Sequence, residues 1–93
     1  MRRLGLLLFW LGLATPVLAT VDDWPALYDV TGVASDDVLN IRERPDASSP
    51  VIGTFAPDAT GIEVIAANDE MTWGLVNVAE RSGWVSLAYL ERR

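Results

Sequence analysis

Two pairs of adjacent carboxylates are the groups of this 93-residue chain best suited to acid–base chemistry: Asp36 with Asp37, and Asp69 with Glu70. Glycoside hydrolysis is the reaction that such pairs would suggest, because it needs two carboxyl groups on either side of the scissile bond. Side chains that are neighbours in a loop point apart and stay solvated, and both pairs lie between predicted strands. We therefore interpret them as surface acids of turns and predict no catalytic residue among them.

Other routes to catalysis lack their central group. The sequence contains no histidine, cysteine or lysine, and these supply the usual general base, thiol nucleophile and Schiff-base amine. The available serine hydroxyls are those of Ser35, Ser48, Ser49, Ser82 and Ser86. Because no base is present to activate them, we interpret them as ordinary turn residues. The sequence thus predicts a protein that is not an enzyme and needs no cofactor.

Calcium is the metal that the acidic loops would attract, because it accepts carboxylate and backbone oxygens in flexible loops. The D-x-D-x-D-G spacing of a calcium-binding loop is absent from the sequence. We therefore predict no metal site. A thermal shift on adding calcium or EDTA would contradict this prediction.

Residues 1–19 have the organisation of a secretory signal peptide. Arg2 and Arg3 precede an apolar run over residues 4–13, and small side chains lead to a predicted cleavage site after Ala19. The run is shorter than the roughly 20 residues of a spanning helix, so we expect cleavage and no stable membrane insertion afterwards. An uncleaved membrane anchor is the alternative. Residues 20–27 are predicted to be a short leader and residues 28–93 the folded domain, in a periplasmic or secreted protein.

The charge of the exported protein limits its partners. The formal charge of the chain is −6, and loss of Arg2 and Arg3 with the signal peptide would leave −8. Nucleic acid is therefore not an expected partner, because its phosphates require a basic face. The absence of cysteine also means that packing alone must hold the domain together.

Short runs with the alternation of half-buried strands predict an all-β fold. They cover residues 28–33, 38–42, 61–67, 73–78 and 83–85. In the second run, Leu39 and Ile41 alternate with Asn40 and Arg42, which places two side chains inward and two outward. Residues 43–60 contain three prolines and several turn-forming residues. We predict that they form one long ordered loop that plugs an end of the barrel.

Four blocks of sequence resemble the bacterial SH3 (SH3b) domain family. They are Val38-Leu39-Asn40-Ile41-Arg42, residues 49–55 (S-P-V-I-G-T-F), Trp73 with Val76 and Val78, and residues 82–90 (S-G-W-V-S-L-A-Y-L). The resemblance implies a small SH3-like barrel of about five to six short strands. It also implies one helical turn, at residues 86–88, before the last strand. Gly83 is expected to let the chain turn into a short strand, and Phe55 and Trp84 are expected to pack in the core.

A further resemblance indicates a binding groove. Residues 26–30 (A-L-Y-D-V) are similar to the opening motif of eukaryotic SH3 domains, and Asp36 and Asp37 fall where those domains have an acidic loop. SH3-type barrels bind in a shallow aromatic groove, and the resemblance places Trp73 and Tyr89 there. Tyr28, Asp36 and Asp37 would lie along its edge. We predict these five as the ligand-binding residues, because Trp and Tyr offer a rigid apolar face with a hydrogen-bonding edge.

The resemblance also implies a binding role in the cell envelope, commonly through peptidoglycan peptides. Peptidoglycan is anionic and would repel an acidic domain over a Debye length of about 8 Å, so binding needs a specific site. We predict a non-catalytic extracytoplasmic module for a peptide, a peptidoglycan stem peptide or an envelope protein. The alternative is a structural or regulatory subunit that docks on one envelope protein. The charged ending Glu91-Arg92-Arg93 favours a monomer.

Overall fold

The computed structural model describes residues 24–93, so the predicted signal peptide and its cleavage site lie outside the described residues. The elements are β1 (Ala26–Val30), β2 (Leu39–Arg42), β3 (Val51–Phe55), β4 (Ile62–Val64), β5 (Ala66–Ala67), β6 (Trp73–Val78), β7 (Arg81–Ser86), a 3₁₀ turn (Leu87–Tyr89) and β8 (Leu90–Arg92). The prediction of an all-β fold with one helical turn before the last strand is confirmed. The described residues form eight strands, more than the predicted five to six, because residues 61–67 form two strands and β3 was not predicted.

The strands form two antiparallel sheets, with the orders β4-β1-β8 and β3-β2-β7-β6-β5. Only Ile65 separates β4 from β5, and its N–H donates to the carbonyl of Leu75 at 2.9 Å. The chain therefore passes directly from one sheet into the other. This bend brings the apolar faces of both sheets around a single core.

The core follows the alternation of the strands. The buried apolar side chains are Tyr28, Val30, Leu39, Ile41, Ile62, Val64, Val76, Val85 and Leu90. Leu39 and Ile41 point inward from β2 as predicted, and Asn40 and Arg42 are only half-buried. Phe55 also packs against the core, as predicted.

The prediction of a long loop over residues 43–60 is wrong, because β3 lies inside that segment. Pro50 immediately precedes β3 and Pro57 follows it, so these prolines bound the strand instead of interrupting it. β3 pairs with β2 in antiparallel register, from Leu39 opposite Phe55 to Arg42 opposite Val51. It lies at the edge of its sheet, where a strand needs partners on one side only. The segment extends a sheet and does not plug the barrel.

The role predicted for Gly83 is also wrong, because this residue lies in the middle of β7 and not at a turn. An ideal Cβ at this position would stand 2.6 Å from Cγ2 of Ile41 and 2.8 Å from Cδ1 of Ile52. Glycine fits here because the side chains of Ile41 and Ile52 occupy the space that a Cβ would need.

The ends of the described chain pack together. β1 begins at Ala26, so the last two residues of the segment predicted as a leader belong to a strand. Trp24, just before it, packs against the core. The side chain of Arg93 forms an ion pair with Asp29 at 3.2 Å, and the backbone N–H of Arg93 donates to the carbonyl of Leu27 at 2.9 Å. The final residues thus fasten β8 to β1.

Candidate functional site

A groove of about 550 Å³ is lined by the loop after β1, by β2 and by the ends of β6 and β7. Trp73, Tyr89 and Asp37 all contribute to its lining. Three of the five residues predicted from the sequence are therefore brought together. Its volume is within the range of sites that hold small molecules or a few peptide residues.

Trp73 is positioned by the loop that precedes it. The Oδ1 atom of Asn68 accepts hydrogen bonds from the N–H groups of Thr72 at 2.8 Å and Trp73 at 2.9 Å. The N–H of Asn68 donates in turn to the carbonyl of Trp73 at 3.0 Å. Asn68 therefore fixes the start of β6, and with it the direction of the half-buried indole.

Tyr89 lies in the 3₁₀ turn and lines the groove there. Tyr89 is 43% exposed, so it presents apolar surface to solvent. Its carbonyl accepts a hydrogen bond from the N–H of Thr31 at 2.9 Å, which ties the turn to the loop after β1. Gly32 has a φ of +72°, and a Cβ there would stand 3.7 Å from Cδ1 of Tyr89. The loop thus passes beside the tyrosine ring with a backbone conformation that favours glycine.

The two predicted acids have different places. Asp37 lines the groove, and its Oδ1 atom accepts a hydrogen bond from the N–H of Val38 at 2.7 Å. Asp36 is exposed beside it, outside the residues that line the groove. Only Asp37 is placed to contact a ligand inside the groove.

Tyr28 is set apart from the groove. Its side chain is 8% exposed and belongs to the core. Its ring stacks on Trp24, with ring centroids 6.3 Å apart and an angle of 14° between the planes. Alternation along β1 accounts for this position, because Tyr28 and Val30 both point inward.

Arg42 lines the groove as well, and sequence reasoning missed it. Its Nη1 atom donates to the carbonyl of Ser49 at 3.0 Å. The sequence carried a signal, because the outward alternation of β2 places Asn40 and Arg42 on one face, and both line the groove. What it could not supply was the position of Ser49, seven residues further along the chain.

Trp84 does not pack where it was predicted to pack. It is half-buried and lies outside both the core and the side chains that adjoin it. Trp84 pairs with Leu75 on β6 and with Arg42 on β2. Side chains of directly opposed residues share a face of the sheet. Trp84 therefore belongs to the outer face next to the groove, although it does not line the groove.

The arrangement is suited to binding. It offers an exposed phenol, a half-buried indole, one carboxylate and one guanidinium around an open groove. Within residues 24–93 there is no group of three or more His, Cys, Asp and Glu side chains able to hold a metal ion. In the same residues, no helix has the length and hydropathy needed to cross a membrane.

In the comparison with protein families, the model of the bacterial SH3 domain matches residues 37–91. The matched segment covers more than half of the chain and includes the groove side of the fold from Asp37 to Tyr89. The comparisons with curated proteins and with solved structures give no match.

Proposed function

Because this chain belongs to the bacterial SH3 domain family, whose members are generally non-catalytic binding modules, we propose that its groove binds a peptide or protein ligand outside the cytoplasm. Peptidoglycan stem peptides are the candidate ligands. The binding residues are Trp73, Tyr89 and Asp37. Tyr28 and Asp36 have no direct place in the proposal, since neither lines the groove.

The observation that carries this proposal is the convergence of Trp73 and Tyr89 on one groove. The two residues come from β6 and from the 3₁₀ turn, and they are joined through the backbone, because the N–H of Leu87 donates to the carbonyl of Thr72 at 2.9 Å. A tyrosine that is 43% exposed loses water-exposed apolar surface when a ligand covers it. Each Å² of apolar surface that the ligand removes from water contributes about 25 cal/mol to the free energy of binding.

Asp37 supplies the polar specificity of the proposed site. A carboxylate beside two aromatic rings favours a ligand with an amino group, because the cation can interact with both the acid and the ring faces. Stem peptides carry free amino groups next to small apolar side chains, so they match this lining.

The experiment that tests the proposal is a tryptophan-fluorescence titration of residues 20–93 with soluble peptidoglycan stem peptides. A saturable change is expected, since Trp73 lines the groove and Trp24 does not. The Trp73→Phe variant should lose this change, whereas Trp84→Phe, which removes an indole outside the groove, should keep it.

A flat response, or a response that persists in Trp73→Phe, would overturn binding in this groove. In that case a pull-down from envelope extract distinguishes docking on an envelope protein from recognition of the cell wall. Capture of a single stoichiometric protein would favour a subunit that docks on an envelope protein. Retention on purified sacculi at moderate salt would instead favour recognition of the wall at another surface.

The location outside the cytoplasm rests on the predicted signal peptide of residues 1–19 and on the frequent association of bacterial SH3 domains with the cell wall or the exterior. Mass spectrometry of the protein recovered from envelope fractions should find Thr20 at the amino terminus. Recovery of the intact chain from the cytoplasm would contradict this part of the proposal.

A further inference from the structure

The guanidinium of Arg42 is held at the groove by a buried loop residue. Arg42 is the last residue of β2, and its Nη1 atom donates to the carbonyl of Ser49 at 3.0 Å. Ser49 is 1% exposed, and its hydroxyl is bonded to both backbone groups of Arg44. The side chain of Arg42 is therefore anchored at one nitrogen by a fixed carbonyl.

Among the described residues, Arg42 makes no direct ion pair with a carboxylate. Two ion pairs, Arg44 with Glu43 and Arg93 with Asp29, engage other guanidinium groups. Asp46 interacts with Arg42 only at a distance, and its Oδ1 atom accepts two hydrogen bonds from Ser48. A guanidinium has five N–H donors, and within the described residues the one hydrogen bond of the Arg42 guanidinium is that to the carbonyl of Ser49. A half-buried guanidinium with free donors is a ready partner for an anion.

The charges of the groove differ from those of the rest of the domain. Residues 24–93 carry eleven carboxylates against five arginines. Of the described residues that line the groove, Arg42 provides the one positive charge and Asp37 the one negative. The lining is therefore neutral overall but has two poles, and a ligand that matches it places a positive group at Asp37 and a negative group at Arg42.

The two poles flank one strand. Asp37 lies just before β2, which begins at Leu39, and Arg42 ends it. Asp37 lies five residues before Arg42, so at about 3.3 Å per residue their Cα atoms are at most roughly 17 Å apart. A fully extended tetrapeptide spans up to about 14 Å, which is close to that limit.

We infer that Arg42 is a carboxylate subsite that binds the free C-terminal carboxylate of a short peptide, while Asp37 receives its amino group. The inference rests on the proposed function and adds the polarity of the bound peptide and the nature of its end. A carboxylate fits better than a phosphate, because a second negative charge would face Asp37 and the acidic surroundings without a second cation.

The experiment uses the stem tetrapeptide with a free C-terminal carboxylate and the same peptide ending in a carboxamide, each titrated by calorimetry into residues 20–93. The unmodified domain should bind the free acid at least about 10-fold more tightly than the amide, since one charge-assisted pair is removed. In Arg42→Gln this preference should fall to about 1. Arg44→Gln is the matched control and should keep the preference, because Arg44 is exposed and lies outside the groove lining.

Equal affinity of the unmodified domain for acid and amide would overturn the subsite while leaving the proposed function in place. A preference that survives in Arg42→Gln would also overturn it. Failure of both peptides to bind would overturn the subsite and the stem-peptide proposal together. Circular dichroism checks that Arg42→Gln is folded, and if it is not, the comparison of acid with amide on the unmodified domain decides the matter alone.

Discussion

The hydroxyl of Ser49 is bonded to both backbone groups of Arg44: it accepts from the N–H at 3.0 Å and donates to the carbonyl at 3.2 Å. The same residue gives its own carbonyl to Arg42. A single buried serine thus closes the loop between β2 and β3 and positions the cation of the groove. Loop structure and groove charge are coupled through this residue.

Replacing Ser49 by alanine should lower the free energy of unfolding by about 1–3 kcal/mol, because two hydrogen bonds are lost at a site with little access for water. The measurement is urea denaturation followed by circular dichroism. Ser82→Ala is the control, since Ser82 is exposed on β7, and it should change stability by less than about 0.5 kcal/mol. Equal stability of the two variants would show that water replaces the hydroxyl of Ser49.

Most strands could be predicted from the sequence because each has the alternation of a half-buried strand. Leu39 and Ile41 define β2, and the predicted run 73–78 coincides with β6. The sequence does not predict β3, because Pro50 and Pro57 lie beside it and prolines are typical of loops; an edge strand nevertheless tolerates them just outside its ends. Gly83 was misassigned because local sequence cannot reveal that Ile41 packs against it from another strand.

The candidate site was predictable where family resemblance fixed a position, as for Trp73 and Tyr89. It was not predictable where the position depends on contacts between separate segments. Arg42 belongs to the groove because the loop after it folds back to place Ser49 beside it. Tyr28 is a different case, because the alternation of β1 points it into the core, where it stacks on Trp24.

Gly83→Ala should destabilise the domain by about 1–3 kcal/mol, since the new methyl group would overlap Ile41 and Ile52 in a packed core. The change in the urea midpoint measures the effect. Gly53→Ala is the matched comparison, because a Cβ there would stand 3.1 Å from Cγ1 of Val78, a side chain that can shift. The loss should be smaller for Gly53→Ala, and the reverse order would contradict the close contact of Ile41 and Ile52 with Gly83.

Asp46 gives the loop between β2 and β3 a dependence on pH. Hydrogen bonds from the backbone N–H and then the hydroxyl of Ser48 hold the pKa of Asp46 below its usual value. Because the pKa of Asp46 is lower in the folded state, the ionised carboxylate stabilises the fold. This contribution is fully present at pH values above the ordinary aspartate pKa of about 4. This contribution is lost as the pH falls through the lowered pKa.

The difference in melting temperature between the unmodified domain and Asp46→Asn should therefore narrow as the pH is reduced from about 7 to about 2. NMR titration of the carboxyl carbon adds a direct test. In Ser48→Ala the pKa of Asp46 should rise only part of the way to its usual value, because the backbone N–H remains. An unchanged pKa of Asp46 in Ser48→Ala would show that the hydroxyl of Ser48 does not contribute to lowering it.

Ala79 is the position where a substitution should stabilise the domain. It is the first residue of the two-residue loop between Val78 and Arg81, which pair across β6 and β7, and its φ is +56°. An L-residue in this region costs about 1–2 kcal/mol, whereas glycine adopts it freely and loses about 0.5–1 kcal/mol in chain entropy. Ala79→Gly should thus gain up to about 1 kcal/mol, a rise in melting temperature of a few degrees. Glu80→Gly, at a position without positive φ, should lower the melting temperature.

The affinity for the peptide should stay unchanged in Ala79→Gly, because Ala79 lies outside the groove lining. A loss of affinity in this variant would mean that the hairpin takes part in binding.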